Sequence, residues 1–188
     1  MIRRINSIIL TLTLLLVPVV ARGEDPRSSS QKGIGYSTDV LAIGLPLTAI
    51  GYTLITKDWT GLKQGAFTAA ATLGSTLILK HTIHKRRPDG SDSHSFPSMH
   101  TSVSFASAAY LQRRYGWKWG IPAYAVACYV GWGRTYAKKH DWGDGVAGAA
   151  LGAGSAYIFT RPFSAKHNLS LMPLSDGNNF YISASLDF

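Results

Sequence analysis

An arginine, a histidine and an aspartate stand at Arg134, His140 and Asp144, in the most polar run of the second half of the chain. Apolar, glycine-rich segments flank that run on both sides. With Asp144 in the first turn of a helix, His140 four residues before it shares its face. The carboxylate then accepts the imidazole Nδ1–H and leaves Nε2 free to act. A guanidinium beside that ring points to an anionic substrate, because its planar fork matches phosphate oxygens. Taken alone, the run reads first as a solvated loop between two apolar helices, with an ordinary His–Asp contact.

Two further polar runs change the weighing. Lys80-His-Thr-Ile-His-Lys-Arg-Arg87 sets Lys80, Lys85, Arg86 and Arg87 within eight residues, and Pro88 ends any helix there. Mutually repelling cations need a reason to be packed together; a solvated basic loop or a membrane-surface anchor is the plain alternative. Ser95-Phe-Pro97-Ser98-Met99-His100 opens another helix. Ser98 is a natural N-cap, and the free amides behind it form an anion site reinforced by the helix dipole. His100 projects from that first turn, where the alternative is a capped helix with a solvent-facing histidine.

What positions these runs is a set of five helical candidates: Thr38–Thr56 (interrupted by Pro46), Leu62–Lys80, Ser98–Arg113, Trp117–Trp132 and Asp144–Phe159. Their mixture of Ala, Gly, Ser and Thr suits closely packed helices, in protein or in membrane. None exceeds twenty residues, so each is a marginal span or a buried helix of a soluble bundle. Up-and-down alternation brings the two histidine-bearing stretches, 81–97 and 134–143, to one pole. The other pole collects Lys57, Lys63, Arg113, Arg114 and Lys118, as positive-inside loops should.

The remaining chain sets bounds. Its 188 residues fit one domain, expected over 37–166. Met1-Ile-Arg-Arg followed by the apolar run Ile8–Val20 and Ala21-Arg22-Gly23 reads as a signal peptide over 1–23, or else a first transmembrane helix. Residues 24–36 read as a flexible linker, and 167–188 alternate as a β-hairpin tail around Ser175-Asp-Gly-Asn-Asn179. Nineteen Lys and Arg stand against ten acids. They cluster beside histidines, not in an aromatic-interleaved stripe, which favours a phosphorylated substrate over nucleic acid. The lone Cys128 excludes an intramolecular disulfide and a thiolate zinc site. His81-x2-His84 is close to zinc-ligand spacing and keeps a non-catalytic metal-binding membrane protein in view, although the surrounding cations would repel a divalent ion.

The three runs, read in order as Lys80-x6-Arg87-Pro88, Pro97-Ser98-Met99-His100 and Gly133-Arg134-x5-His140-x3-Asp144, resemble the three motifs of the type 2 phosphatidic acid phosphatase (PAP2) superfamily. That family includes lipid phosphatases, class A acid phosphatases and vanadium haloperoxidases. The resemblance implies an all-α bundle of five or six helices, membrane-embedded or membrane-associated, and a metal-independent phosphatase without cofactor. It implies that His140 attacks phosphorus to form a phosphohistidine, Asp144 orients it, and His100 protonates the leaving oxygen and then activates water. Lys80, Arg87, Ser98, Arg134 and the backbone at Met99 would bind the phosphoryl oxygens. The expected partner is a phosphorylated lipid or isoprenoid carrying a phosphomonoester or pyrophosphate, met at a periplasm-facing site of a bacterial inner membrane. A soluble periplasmic phosphatase for small phosphomonoesters is the alternative, and the short chain leaves little room for a haloperoxidase. Met99 replaces the usual glycine, which suggests lost freedom at positive φ and an altered site mouth. Gly133 replaces the usual serine and removes a hydroxyl from beside Arg134.

Overall fold

A computed structural model describes residues 27–163 and the backbone of 168–175 and 180–187; the expected leader 1–23 lies outside the described residues. Five helices follow one another: α1 Ser29–Ile55, α2 Trp59–Thr82, α3 Met99–Tyr115, α4 Trp117–Tyr136 and α5 Trp142–Phe159. This is the all-α bundle that the resemblance implies. Two strands, β1 Asn168–Ser175 and β2 Phe180–Asp187, pair antiparallel with Asn168 opposite Asp187 and Ser175 opposite Phe180.

Helix α1 starts earlier than expected. Ser28 accepts the Gln31 N–H and donates its own N–H to Gln31 Oε1, a capping box that turns residues 29–36 of the expected linker into helix. Pro46 does not interrupt the helix, which runs on to Ile55 and gives up only the bond that Pro46 cannot donate. The result is a 27-residue helix, long and apolar enough to cross a membrane.

Helix α3 is the centre, with the other four packed around it. Its approach to α5 is very close: a Cβ at Gly152 would stand 2.0 Å from the Ser102 carbonyl oxygen and 2.8 Å from the Ala106 nitrogen. The core between helices is correspondingly small-grained, built from Leu45, Ala49, Ala108, Ala109, Leu111, Ala123, Ala127 and Ala156. Backbones that approach this closely gain their cohesion from dispersion contact over long faces.

Chain direction alternates, so the N-terminal ends of α3 and α5 and the C-terminal ends of α2 and α4 share one pole. At the opposite pole Asp58 caps α2 and is gripped bidentately by Arg114, both contacts 2.6 Å, with the Tyr115 hydroxyl donating at 3.0 Å. Arg114 was grouped with the surface cations of that pole, but it is 6 % exposed and belongs to this structural pair. Its terminal Nη1 also donates to the carbonyls of Arg161 and Pro162, which anchors the chain leaving α5.

Candidate active site

The loop between α2 and α3 is held from below by Lys80. Its ammonium, in the last turn of α2, donates to the carbonyls of His94 at 2.7 Å and Pro97 at 3.0 Å, which leaves one N–H for another acceptor. Arg87 is held through Nε, 2.8 Å from Asp92, so its terminal nitrogens keep their donors. Asp89 then joins this loop to the α4–α5 turn: its N–H donates to Lys138 O at 3.0 Å, and its carboxylate meets Lys139 Nζ at 2.7 Å. Burial alone would raise that carboxyl, but hydrogen bonds from Lys139 and Ser91 carry its pKa down to about 2. The two polar stretches are therefore one structure.

The turn after α4 is tight. Lys138 adopts a left-handed conformation with φ 58°, and the N–H groups of Lys139 and His140 fold back onto the Arg134 carbonyl at 3.1 and 3.3 Å. Asp141 caps α5 and Asp144 is its third residue, the two forming a reciprocal capping box. His140 thus sits just before the helix, so the pair does not share a helix face as the spacing alone suggested. The pair still meets because Asp141 is extended, and His140 Nδ1 lies 3.5 Å from Asp144 Oδ2. That separation is longer than a formed hydrogen bond. The shortest contact to the same carboxylate oxygen belongs to the Ser95 hydroxyl, whose oxygen also lies 3.5 Å from His140 Nδ1. Lys85 completes the cluster, 2.8 Å from Asp144 Oδ1 and 2.5 Å from Asp141 Oδ2.

His140 is 2 % exposed, and burial together with the charges of Arg87, Arg134 and Lys80 pushes its pKa well below the usual value; Asp144 opposes this only in part. The ring is neutral at physiological pH, the form in which Nε2 carries a lone pair. The linkage has a definite sign. An unfolded chain binds a proton at His140 below about pH 6.5, and the folded chain does not, so stability is lost as pH falls. Each unit below 6.5 should cost about 1.4 kcal/mol from this group until its folded pKa is reached. Thermal unfolding at pH 7 and pH 5 should show a smaller acid-side loss for His140→Asn than for the wild type; equal losses would refute the assignment.

At the head of α3, Ser98 is the N-cap by position but makes no side-chain cap bond. Its hydroxyl accepts from Thr101 Oγ1 at 2.9 Å, and its N–H donates to Asp144 O at 3.0 Å. The amides of Met99, His100 and Thr101 precede the first intrahelical bond, so the anion site survives the loss of the cap. Met99 is helical and half-buried, so the expected strain from replacing glycine is absent: this position needs no positive φ. Gly133 also has another reason to be glycine. A Cβ there would stand 2.5 Å from Thr38 Cγ2 and 3.0 Å from Ile34 Cγ2, so its absence lets α1 lie against α4.

That contact delivers a residue the sequence reading passed over. Asp39 of α1 accepts from Arg134 Nη1 at 2.5 Å and stands 3.0 Å from His100 Nε2. Arg134 itself is 6 % exposed, and its buried Nε has no hydrogen-bond partner among the described residues, a donor held ready for an acceptor. All eight residues singled out from sequence therefore gather at one pole, joined by contacts or by reach of charge, and Asp39, Lys85 and Ser95 join them. Asp39 had a legible signal, as the lone acid in an otherwise apolar helix. Lys85 lay inside the first motif, and Ser95 carried none. Among the described residues the remaining histidines stand near one another: ring centroids of His81 and His84 lie 5.5 and 5.9 Å from that of His94. Among the described residues no three His, Cys, Asp or Glu side chains are grouped to hold a metal ion.

A lipid A 1-phosphatase of Porphyromonas gingivalis is 28 % identical over 166 residues, covering 77 % of this chain but only 37 % of that protein. A lipid A 4′-phosphatase of Helicobacter pylori is 27 % identical over 175 residues, covering 87 % of this chain and 86 % of its own length. No solved structure matches the chain significantly. The sequence profile of the PAP2 superfamily matches residues 61–167, a span that contains all three motifs, and the chain belongs to that superfamily.

Proposed function

We propose that this protein is a phosphatase that hydrolyses a phosphate ester of a membrane lipid through a phosphohistidine at His140. The observation that carries the reading is the buried Arg134, whose Nε has no partner among the described residues, beside a neutral His140 backed by Asp144 and Ser95. The site offers what phosphoryl transfer requires: a nucleophile in the apolar shelter of a helix end, cations for the equatorial oxygens, and a proton donor for the leaving group. Lys80, Arg87, Arg134 and the α3 amides take the oxygens. His140 Nε2 attacks phosphorus, the bond to the leaving oxygen breaks, and His100 supplies its proton. Water activated by His100 then releases phosphate and restores His140. Each charge-assisted hydrogen bond contributes on the order of 1.5–3 kcal/mol, so three or four that tighten toward the transition state account for several orders of magnitude in rate.

A lipid-linked substrate is favoured by the surface and by the interior below the site. Val40, Ile43, Leu47, Phe67, Ile78, Ile121, Val146 and Ile158 are each more than 60 % exposed. Trp132, Tyr136 and Trp142 are exposed near the site pole, and Trp59 and Trp117 at the other, the arrangement of a bundle seated in a bilayer. The cations of Lys57, Lys63, Arg113 and Lys118 lie at the far pole, which supports a site facing away from the cytoplasm. Between α1, α2 and α3 runs an apolar cavity of about 420 Å³, lined by Ile50, Ala69, Leu73, Val103, Ala106 and their neighbours. It shares with the site the α2 face that carries Thr72, Thr76 and Lys80, which suits an acyl chain hanging from a phosphorylated head group. Both curated relatives bear names that place their action on lipid A, and a phosphorylated glycolipid of that kind is the substrate we propose.

The test is phosphate release by the full chain in detergent, from long-chain lipid phosphates and from short soluble phosphomonoesters. The lipid phosphates should turn over at least about tenfold faster, and Ala69→Trp, which fills the cavity mouth, should erase most of that preference. Equal use of soluble esters would favour the soluble acid phosphatase instead.

A further inference from the structure

We propose that Asp39 is a positioning residue for proton transfer, holding His100 by one ring nitrogen so that the other serves the leaving group. The inference rests on the phosphatase reading above and concerns a residue that lies outside all three motifs. Two donors converge on a single carboxylate oxygen: His100 Nε2 at 3.0 Å and Arg134 Nη1 at 2.5 Å. One carboxylate thereby ties the candidate proton donor on α3 to the phosphate-binding guanidinium on α4, from a third helix. The placement is rigid. Helix α1 is seated against α4 where Gly133 admits Thr38 and Ile34, and a Cβ at Gly35 would stand 3.6 Å from Ala137 Cβ, so Asp39 is delivered to this level by helix packing and not by a flexible loop. The Ser37 hydroxyl, 2.9 Å from Tyr129 Oη, adds a second tie between the same helices.

The chemistry follows from the inventory of an imidazole. A ring engaged at Nε2 by a carboxylate has Nδ1 as its remaining nitrogen. In the first step His140 Nε2 forms its bond to phosphorus while the bond to the leaving oxygen breaks, and that oxygen takes the proton from His100 Nδ1. His100 is left neutral, still donating Nε2–H to Asp39. In the second step His100 Nδ1 removes a proton from water as the oxygen of that water bonds to phosphorus and the bond from phosphorus to His140 Nε2 breaks, which frees phosphate and neutral His140 and returns the His100 ring to its starting state. Throughout, Asp39, whose side chain is half-exposed, supplies the counter-charge to the imidazolium and fixes its orientation, the role a carboxylate plays for the histidine of a hydrolase triad. Its hold on Arg134 orients Nε toward the oxygens without consuming that donor.

This role differs from mere support in what it does to different leaving groups. A nitrophenolate leaves without needing a proton, whereas an alkoxide does not. Asp39→Asn, which keeps shape and hydrogen bonding but removes the charge, should lower kcat on a long-chain alkyl phosphate by about 10²-fold or more. On the nitrophenyl phosphate of matched chain length the loss should stay within about tenfold, reflecting Arg134 alone. In a His100→Ala background the same substitution should add little on either substrate, because the pair acts as a unit. Equal losses on both substrates, or full additivity with His100→Ala, would overturn the proposal. So would a gain in activity or a lowered KM in Asp39→Asn, which would make the carboxylate a competitor for the phosphate site. A readout independent of turnover separates this from the phosphatase reading. In the full chain labelled at histidine nitrogen, the His100 ring signals, assigned by their loss in His100→Gln, should move in Asp39→Asn; unmoved signals refute the contact whatever the enzyme hydrolyses.

Discussion

Replacing His140 by alanine should abolish phosphate release, by about 10⁴-fold or more, while leaving the helical bundle folded. The magnitude is that of removing an activated nucleophile, for which no neighbour can substitute. The Ser95 hydroxyl, 3.5 Å from the ring, is committed to Asp144. The fold should survive because His140 lies in the turn between α4 and α5 and its backbone N–H, not its ring, closes that turn on Arg134. Removing the ring also removes a buried group that resists protonation, so the variant loses packing but sheds part of the acid-side penalty. The measurement is phosphate release from a lipid phosphate, paired with far-ultraviolet circular dichroism. A second measurement addresses the intermediate: wild-type protein quenched during turnover of a radiolabelled substrate should carry an acid-labile, alkali-stable label that His140→Ala lacks. Retained turnover with an intact spectrum would eliminate His140 as nucleophile.

The second large effect concerns Asp144, which is fully buried and surrounded by donors: Ser95 Oγ, Lys85 Nζ and Asp141 N–H. Asparagine fits the same space but must turn an NH₂ group toward at least one of them, a mismatch between two donors in a site closed to water. Lys85 retains Asp141, so the ammonium is not stranded. The loss should therefore fall mainly on the orientation of His140, and kcat should drop by about 10²–10⁴-fold, with KM changed much less. Some stability should be lost as well, on the order of 1–3 kcal/mol for a buried mismatched group. A fall confined to KM, or no fall at all, would show that the carboxylate only caps α5 and plays no part in aligning the ring.

Much of this arrangement was legible from residue types and order. Five helical segments were read from the sequence and five helices are present among the described residues, because runs of small and apolar residues between Gly- and Pro-marked polar turns leave few other options. Alternation brought the two histidine-bearing stretches to one pole, and the three motifs carried the family resemblance that implies the chemistry. Boundaries were less legible. Helix α1 extends to Ser29 because a Ser28–Gln31 capping box lies inside a run that composition marks as linker, and Pro46 is carried within it.

Tertiary structure decided what spacing could not. His140 and Asp144 meet across an extended Asp141 and not along a helix face, since the face a residue shares depends on where the cap falls. Ser98 gave up its capping bond, and Met99 proved free of strain, because both depend on the actual path into α3. Above all, the partners of the motif residues came from positions that the motifs leave unspecified or do not reach: Lys85, inside the first motif, to Asp141 and Asp144, and from outside the motifs Ser95 to Asp144 and Asp39 to His100 and Arg134. Residue types and order determine which groups can do the chemistry; only packing decides which carboxylate faces which cation, because that choice rests on helix approach at positions such as Gly133 and Gly152, where the missing Cβ sets the distance.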